Sequence, residues 1–578
     1  RTLETGKGGA IAIATGAPLP KGANAVVMVE YTHKKGRRVL VYRPVTPGEN
    51  IMAAGSDIMR GETVVRKGTI ITPRETGVLA ALGLGKVEVY SRPSVGIIST
   101  GDEIVEPGKK LEFGQIYDVN GRAIAHAVRE NGCNAEFLGV VKDDPKALLK
   151  KLRAMVERYD LVITSGGTSA GLGDLAYRII DDLGRPGVIV HGVAIKPGKP
   201  TVIGVVGNKP IIGLPGYPTS AMVVFDVLLA PLLRAMAQLP GVERKKVQAR
   251  AAMRLYSAKG RYEYILVNLV RGADGGLSAY PILTGSGAIT TLAEADGYIE
   301  VPELMELVPE GSDVEVTLLS EGLRPTDLTI IGSHCLGVDL LLALMNVERP
   351  TLAKVINVGS SGGMMAVRRG EADIAGTHLI DDATGEYNLP FLTKLKIARG
   401  AYLVRGYDRE QGLMAAKGNP RGIKGIEDLL RPDITLINRN AGSGTRILLD
   451  MELKRLAKEK SEGIKDLVQG IKGYEMEAKS HTAVAAAVAF GRADVGLAIR
   501  TVAEQYGLTF IPLREEKYDF AIPADRMDKP AVQRFLGALR SDAFREQLAR
   551  MAGLRPNEET GNVIHEPGRP LGKNKKNR

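Results

Sequence analysis

The sequence predicts a multidomain α/β protein, and three observations carry that reading. With 578 residues, the chain has room for three to five domains at roughly 100–200 residues each. Between Ser94 and Gln238, strand-like and helix-like runs alternate at the spacing of βαβ units on a parallel sheet. Further on, Ala366-Val-Arg-Arg-Gly-Glu-Ala-Asp373-Ile is echoed 121 positions later by Ala487-Val-Ala-Phe-Gly-Arg-Ala-Asp494-Val. In both places a helix ends at Gly and a strand begins at Ala-Asp, which predicts two equivalent βα lobes with a ligand between them.

Residues 1–55 read as short strands between Gly and Pro turns, at Ile11–Thr15, Ala25–Glu30 and Arg38–Tyr42. A helix is predicted over Pro73–Leu82, with Thr72 as its N-cap. The α/β region then places strands at Val95–Ser99, Ala135–Val141 and Leu161–Thr164. Its helices fall at Asn120–Asn131, Pro145–Arg158 and Leu175–Leu183. A long apolar helix, Ser220–Gln238, closes it. Residues 247–319 return to strands, including Tyr264–Val270 and Asp313–Leu319, and Ser320–Pro325 reads as a linker to the repeated α/β region.

Composition narrows the classes of function. Lys+Arg 77 against Asp+Glu 66 leaves +11 spread along the chain, too thin an excess for a nucleic-acid binder. Its one dense basic patch is Arg569–Arg578. Gly 69 and Pro 30, with aromatics at 5% and no Trp, favour many tight turns over a large aromatic binding face. Cys133 and Cys335 are too few and too far apart for a disulfide scaffold or a cysteine metal site. No run approaches the ~18 uninterrupted apolar residues of a membrane span, and no signal-peptide pattern opens the chain, so a cytoplasmic protein is expected.

The strongest local signal is Asp160-Leu-Val-Ile-Thr-Ser165-Gly-Gly-Thr-Ser-Ala-Gly171-Leu-Gly-Asp174, a buried strand running through a Gly/Ser/Thr loop into a helix. Glycines let the backbone approach an anion, and the helix start offers free N–H groups. Asp174 sets a carboxylate beside that position, suited to Mg²⁺; it would serve equally as an ordinary N-cap. The same loop formally matches G-x-S-x-G of serine hydrolases at Gly167–Gly171, but His191 is the only His between it and His334, and the loop lacks the elbow's context.

Ile195-Lys196-Pro-Gly-Lys199-Pro200 holds two lysines around a rigid turn. Neighbouring ammonium groups repel unless an anion sits between them, so the spacing favours phosphate or another oxyanion. Pro200 stands where a P-loop needs its hydroxyl, which excludes that motif. Leu214-Pro-Gly-Tyr-Pro218-Thr-Ser220 forms a second rigid turn. Acids gather at other sheet-end loops, in Thr100-Gly-Asp102-Glu103, at Asp118 and in Asp143-Asp144. Acids and lysines around one crevice suggest a Mg²⁺-assisted phosphoryl site. In the second half, Gly332–Cys335, Gly359–Gly363, Asn438–Thr445 and Ser480–Thr482 place hydroxyls at helix starts. Four such caps in a two-lobed domain favour a tetrahedral anion over simple capping.

In order along the chain, Thr15-Gly-Ala-Pro-Leu-Pro20, Gly48-Glu-Asn-Ile, Gly55-Ser-Asp57-Ile, Ser99-Thr-Gly-Asp-Glu103, Gln115-Ile-Tyr-Asp-Val-Asn120, Ser165–Gly171, Lys196–Pro200 and Leu214–Pro218 closely resemble the MoeA-type molybdopterin molybdenumtransferases, whose fold is shared with a domain of gephyrin. Residues 326–566 resemble the periplasmic-binding-protein-like domain fused to some of these enzymes, and Asn438–Arg446 is similar to a loop of tungstate- and molybdate-binding proteins. The resemblance implies a partial β-rich piece (1–55), a partial helical piece (56–91), a MogA-like open α/β molybdopterin-binding domain (92–240), a small β-barrel (241–320), a bilobal domain (326–566) and a basic tail (567–578).

The family inserts molybdenum from molybdate into adenylylated molybdopterin with Mg²⁺, releasing AMP. By resemblance, Asp57, Glu103, Asp143 and Asp174 lie around the nucleotide and Mg²⁺, with Asp143 and Asp174 as metal ligands. Lys196, Lys199 and Pro200, joined by Arg261 and Ser286, would hold molybdate. Thr100, Gly101, Asp102, Ser165, Gly166, Gly167, Ser169, Gly171, Pro215, Gly216 and Pro218 would hold the pterin substrate. The ligand of the bilobal domain, molybdate, tungstate or a related small molecule, would meet Ser333, Ser360, Ser361, Ser443, Thr445 and Thr482. A homodimer and contact with the molybdopterin adenylyltransferase are implied, with no nucleic-acid or membrane partner.

Two departures stand out: Tyr217 replaces the family's Asn in L-P-G-N-P, and Ala170-Gly171 replaces Val-Gly. The sequence opens at Arg1 without the family's Asp-Gly-Tyr-Ala stretch, whose acid is thought to act across the dimer interface. The resemblance therefore implies an N-terminally truncated chain that is impaired on its own. A different reading remains, in which the chain is a molybdate- or tungstate-responsive binding protein with a non-catalytic MoeA-like half.

Overall fold

The computed structural model describes residues 8–569 apart from 168–174, 283–284, 286, 324, 382–383, 441–442 and 479. The chain divides into two compact units, one of residues 1–92 with 234–240, the other of 93–233 with 241–578. In the first unit, Thr32–Lys35 and Arg38–Val41 form an antiparallel hairpin with Thr32 opposite Val41. The helix Pro73–Ala81 starts as predicted: Thr72 Oγ accepts the Arg74 N–H at 3.3 Å, and Glu75 accepts the Thr72 N–H at 2.8 Å. The strands expected at Ile11–Thr15 and Ala25–Glu30 are absent. The second of these runs meets the chain around Glu49 through isolated bonds, Val26 N–H to the Glu49 carbonyl and Asn50 Nδ2 to the Val26 carbonyl, which form no ladder.

The second unit begins with a six-stranded sheet. Asn134–Val141, Ser94–Thr100, Leu161–Ser165 and Lys209–Leu214 lie side by side and parallel; Val202–Val206 and Pro186–His191 extend the sheet in antiparallel fashion. The inner parallel strands Ser94–Thr100 and Leu161–Ser165 are largely apolar and buried, as cover on both faces requires, while the edge strand Asn134–Val141 is only partly buried. The helices Pro145–Arg158 and Leu175–Leu183 pack Leu148, Leu152, Met155, Ile179 and Ile180 against Ile98, Val162 and Ile211. The closing helix runs from Pro218 to Met236, starting two residues before the predicted Ser220 because proline, which has no N–H, suits a first helical position. It is long and apolar enough to cross a membrane by length and composition, but half of it is buried within the protein, with Phe225, Leu229 and Leu233 in the core.

Residues 246–318 close into a five-stranded barrel. Around it run Leu277–Pro281, Lys246–Ala251, Asp313–Leu318, Gly297–Val301 and Tyr262–Arg271, the last pairing back to the first. Full closure leaves this sheet no open edge. One further strand, Ile195–Lys196, comes from the sheet domain and pairs in parallel with Tyr262–Glu263. The lysine turn is thereby part of the barrel wall.

The remaining residues form two lobes joined by two 15-residue antiparallel strands, Ala401–Ala415 and Thr509–Pro523. One end of this ribbon pairs with Ala375–Thr377 in the first lobe, the other with Val495–Ile499 in the second. Register shifts between Val404 and Tyr407 and between Gln411 and Gly412 mark its bends. The first lobe is welded to the barrel. Val270 and Tyr280 share a core with Ile331, Ile356 and Met364. Lys354 Nζ reaches Asp296 at 2.6 Å, and Ser278 Oγ donates to Glu371 at 2.5 Å.

Candidate functional site

Because four strands of the first sheet are parallel, their carboxyl ends share one edge. From that edge leave Thr100–Glu103, Asp143, Ser165–Gly167 and Pro215–Gly216, all taken from the sequence as site residues. The loops are tied together. Asn120 Nδ2 donates to Ser165 Oγ and to the Gly216 carbonyl, both at 2.8 Å, and the Gly166 N–H reaches the Leu214 carbonyl at 3.1 Å. Gly166 has φ +101°, and a Cβ there would stand 2.2 Å from the Thr100 carbonyl oxygen. Only glycine allows that approach. Asn120 is the brace that residue-by-residue reading of the loops passed over, although it closes the Gln115–Asn120 motif and opens a helix.

The acids meet at the same edge. The Asp143 N–H donates to Asp102 Oδ1 at 3.3 Å. Burial, then the nearby charges of Asp102 and Glu103, push the Asp143 carboxyl above its ordinary range. Carboxylates gathered in this way are oxygen donors of the kind a hard divalent cation takes. Among the described residues no three carboxylates, histidines or cysteines stand close enough to chelate a metal by themselves. Ser169, Gly171, Asp174 and Ser286 lie outside the described residues. Asp57 is an exposed residue of the first unit, in the turn after Gly55.

In the lysine turn one of the two ammonium groups is paired within the protein. Lys196 Nζ lies 2.8 Å from Glu263 Oε1, across the parallel pairing. The other Glu263 oxygen accepts Ser257 Oγ and the Ala258 N–H, both at 2.9 Å. Lys196 is thus charge-paired and aimed, whereas Lys199 is exposed and, like Arg261, makes no ion pair among the described residues. Gly198 packs on the closing helix, where a Cβ would come 2.4 Å from Val224 Cγ2. Pro200 is half-buried and follows directly. Thr219 Oγ1 donates to the Ala288 carbonyl at 3.0 Å, which ties the helix opened by Pro218 to the barrel domain. Glu263 had no signal in the sequence alone, because its role depends on which strand lies beside Lys196.

In the bilobal domain, Ser333 Oγ lies 2.9 Å from His378 Nε2, and Ser360 Oγ accepts the His378 N–H at 3.1 Å. Ser443 caps the helix Gly444–Lys460, Thr445 is buried in its first turn, and Ser361 and Thr482 are exposed. Beside these hydroxyls and helix starts stand the side chains of Arg409, Arg439, His378 and His481. Burial, then the field of Arg409, drives both histidines well below their usual range, and the same two causes lower Arg439 to about 10.

Comparison with known proteins follows this division of the chain. Residues 1–83 match the MoeA N-terminal region (domain I and II), 96–235 a family described as "probable molybdopterin binding domain", 248–319 the MoeA C-terminal region (domain IV), and 342–540 the PBP superfamily domain. Molybdopterin molybdenumtransferase 2 of Mycobacterium tuberculosis is 37% identical over 316 residues, 53% of this chain and 76% of that protein. The molybdopterin molybdenumtransferase of Bacillus subtilis is 31% identical over 324 residues, 55% of this chain and 75% of that protein. The crystal structure of a molybdopterin biosynthesis MoeA protein from Pyrococcus horikosii is 43% identical, covers 55% of this chain and 78% of its own, and has a TM-score of 0.46.

Proposed function

We propose, from the premise that this chain belongs to the MoeA family of molybdopterin molybdenumtransferases, that it inserts molybdate into adenylylated molybdopterin with Mg²⁺ and releases AMP. The observation that carries this reading is the pairing of Ile195–Lys196 with Tyr262–Glu263, which joins the lysine turn to the barrel. Glu263 fixes Lys196 in direction, and Lys199 and Arg261 supply uncompensated positive charge for the oxyanion substrate. The glycine loop after Ser165 offers backbone N–H groups to the pterin phosphate. Asp143 and Asp102, with Asp174, would hold Mg²⁺, which when bound screens the charge of the phosphate linkage. The fused bilobal domain binds molybdate or tungstate and raises its local concentration by tethering. The enzyme works in the cytoplasm, as a homodimer, receiving its pterin from the adenylyltransferase.

Metal delivery measured against molybdate concentration tests the oxyanion role. Lys199→Ala raises the half-saturating molybdate about tenfold or more, the usual worth of a lost charge-assisted contact. Unchanged molybdate dependence would remove Lys199 from that role.

A further inference from the structure

We infer that the cleft between the two C-terminal lobes is a buried oxyanion site whose main ligand is Arg409, completed by Arg439 and His481 from the second lobe and His378 from the first. The inference rests on the reading that this domain binds a small oxyanion and assigns the groups that do so.

Arg409 sits at the middle of the hinge ribbon, opposite Glu516, and its side chain is wholly shielded from solvent. Its Nε is bound by Glu516, and its guanidinium carbon lies 5.1 Å from the centre of the Tyr518 ring. A purely structural Arg–Glu pair would turn both parallel N–H bonds on the carboxylate. Here the second Glu516 oxygen is given to Gln411 Nε2, and His378 Nδ1 lies 3.2 Å from it. Arg409 Nη1 and Nη2 are left with no hydrogen-bond partner among the described residues, as are Arg439 Nε and His481 Nδ1. Buried charged donors are seldom left so, since each loses its hydration without replacement.

The same groups bring the lobes together. His378 belongs to the first lobe, and the second-lobe Gly444 lies so close that a Cβ on it would stand 2.5 Å from His378 Cε1. Arg439 Nη1 is held by Asn440 Oδ1 at 3.1 Å and the Ala478 carbonyl at 2.9 Å, with no carboxylate on it among the described residues. Arg409 therefore has one carboxylate, Glu516, and Arg439 has none among the described residues. Ser443 and His481 add the N-termini of two helices, Gly444–Lys460 and His481–Ala489. An oxyanion supplies the missing acceptors to all of these at once.

The test uses the full chain carrying Lys196→Ala and Lys199→Ala, so that binding at the enzyme half does not obscure the cleft. Calorimetric titration with molybdate, tungstate, sulfate and phosphate should show one oxyanion bound per chain. Arg409→Gln paired with Glu516→Gln, which keeps the buried charge balanced, should weaken it at least ~100-fold, and Arg439→Gln at least ~10-fold. Circular dichroism confirms that each variant is folded. Should the paired variant be unfolded, Arg439→Gln decides alone. Binding that survives both substitutions overturns the assignment of the arginines while leaving oxyanion binding intact. Failure of the parent chain to bind any of the four anions overturns the oxyanion reading itself.

Discussion

Asp373 and Asp494 close the same turn in the two lobes. Oδ2 of each accepts the backbone N–H of a threonine at the start of a strand, Thr329 at 2.8 Å and Thr435 at 2.9 Å. Each aspartate N–H returns to that threonine's carbonyl at 2.9 Å. The echo in the sequence is therefore a repeated tie between a helix end and the neighbouring strand. Asp373 also holds Lys529 Nζ at 2.6 Å and is the more buried of the two; Asp494 is bridged by Arg421 at 3.3 Å. Replacing either by Ala leaves a backbone N–H without its acceptor, at about 1–3 kcal/mol. Urea denaturation should place Asp373→Ala at the upper end of that range and Asp494→Ala at the lower. Equal, negligible losses would mean that the tie is ornamental.

Gly166→Ala should be far more damaging to the site than its single methyl suggests. The backbone there is left-handed, and the new carbon would meet the Thr100 carbonyl oxygen. The loops after Ser94–Thr100 and Leu161–Ser165 cannot both keep their places. Pterin affinity, followed by equilibrium dialysis, is expected to fall at least ~100-fold in a protein that still folds. Retained affinity would show that the approach of the two loops is not required.

Glu263→Gln separates aiming from charge. Lys196 keeps its ammonium but loses the carboxylate that orients it, and Ser257 and Ala258 keep an amide acceptor. The expected result is a fall in the rate of metal insertion of about tenfold, with pterin binding unchanged. A rate equal to wild type would make the ion pair a purely structural joint.

The histidines of the cleft give a pH dependence with a definite sign. His378 and His481 are held neutral by burial first, and then by Arg409; Arg439 acts on both, and His334, which is paired with Asp339, faces His481. Their folded pKa values lie below the unfolded value of about 6.5. Below that value the unfolded chain binds more protons, so this part of the stability is present above pH 6.5 and is lost as pH falls toward the folded values. Thermal melting of the bilobal part should therefore drop between pH 7.5 and 5.5 by more than in His378→Gln. Bound oxyanion, which opposes the field of the arginines, should reduce the drop. A melting temperature independent of pH across that range would contradict the placement of both rings.

The sequence was informative wherever function depends on local chemistry. Alternation of apolar runs with Gly and Pro turns located the sheet strands and helices, because burial on two faces leaves an unambiguous apolar run, as in Leu161–Ser165. The lysine turn, the glycine loop and the acids were visible as residue types. What stayed hidden is what neighbouring strands decide. Glu263 lies beside Lys196 only because a two-residue strand joins the barrel. Arg409 faces Glu516 only through a register spanning more than a hundred residues. Short apolar segments such as Ala25–Glu30 had the composition of a strand but found no partner strand to form a ladder.

The most direct test of the central claim is to incubate the purified chain with adenylylated molybdopterin, Mg²⁺ and molybdate, following AMP and pterin-bound molybdenum together. The account predicts AMP release that requires both molybdate and Mg²⁺, with one molybdenum bound per AMP, and loss of both products in Asp143→Asn. AMP release that ignores molybdate, or a folded chain that forms neither product, would contradict it.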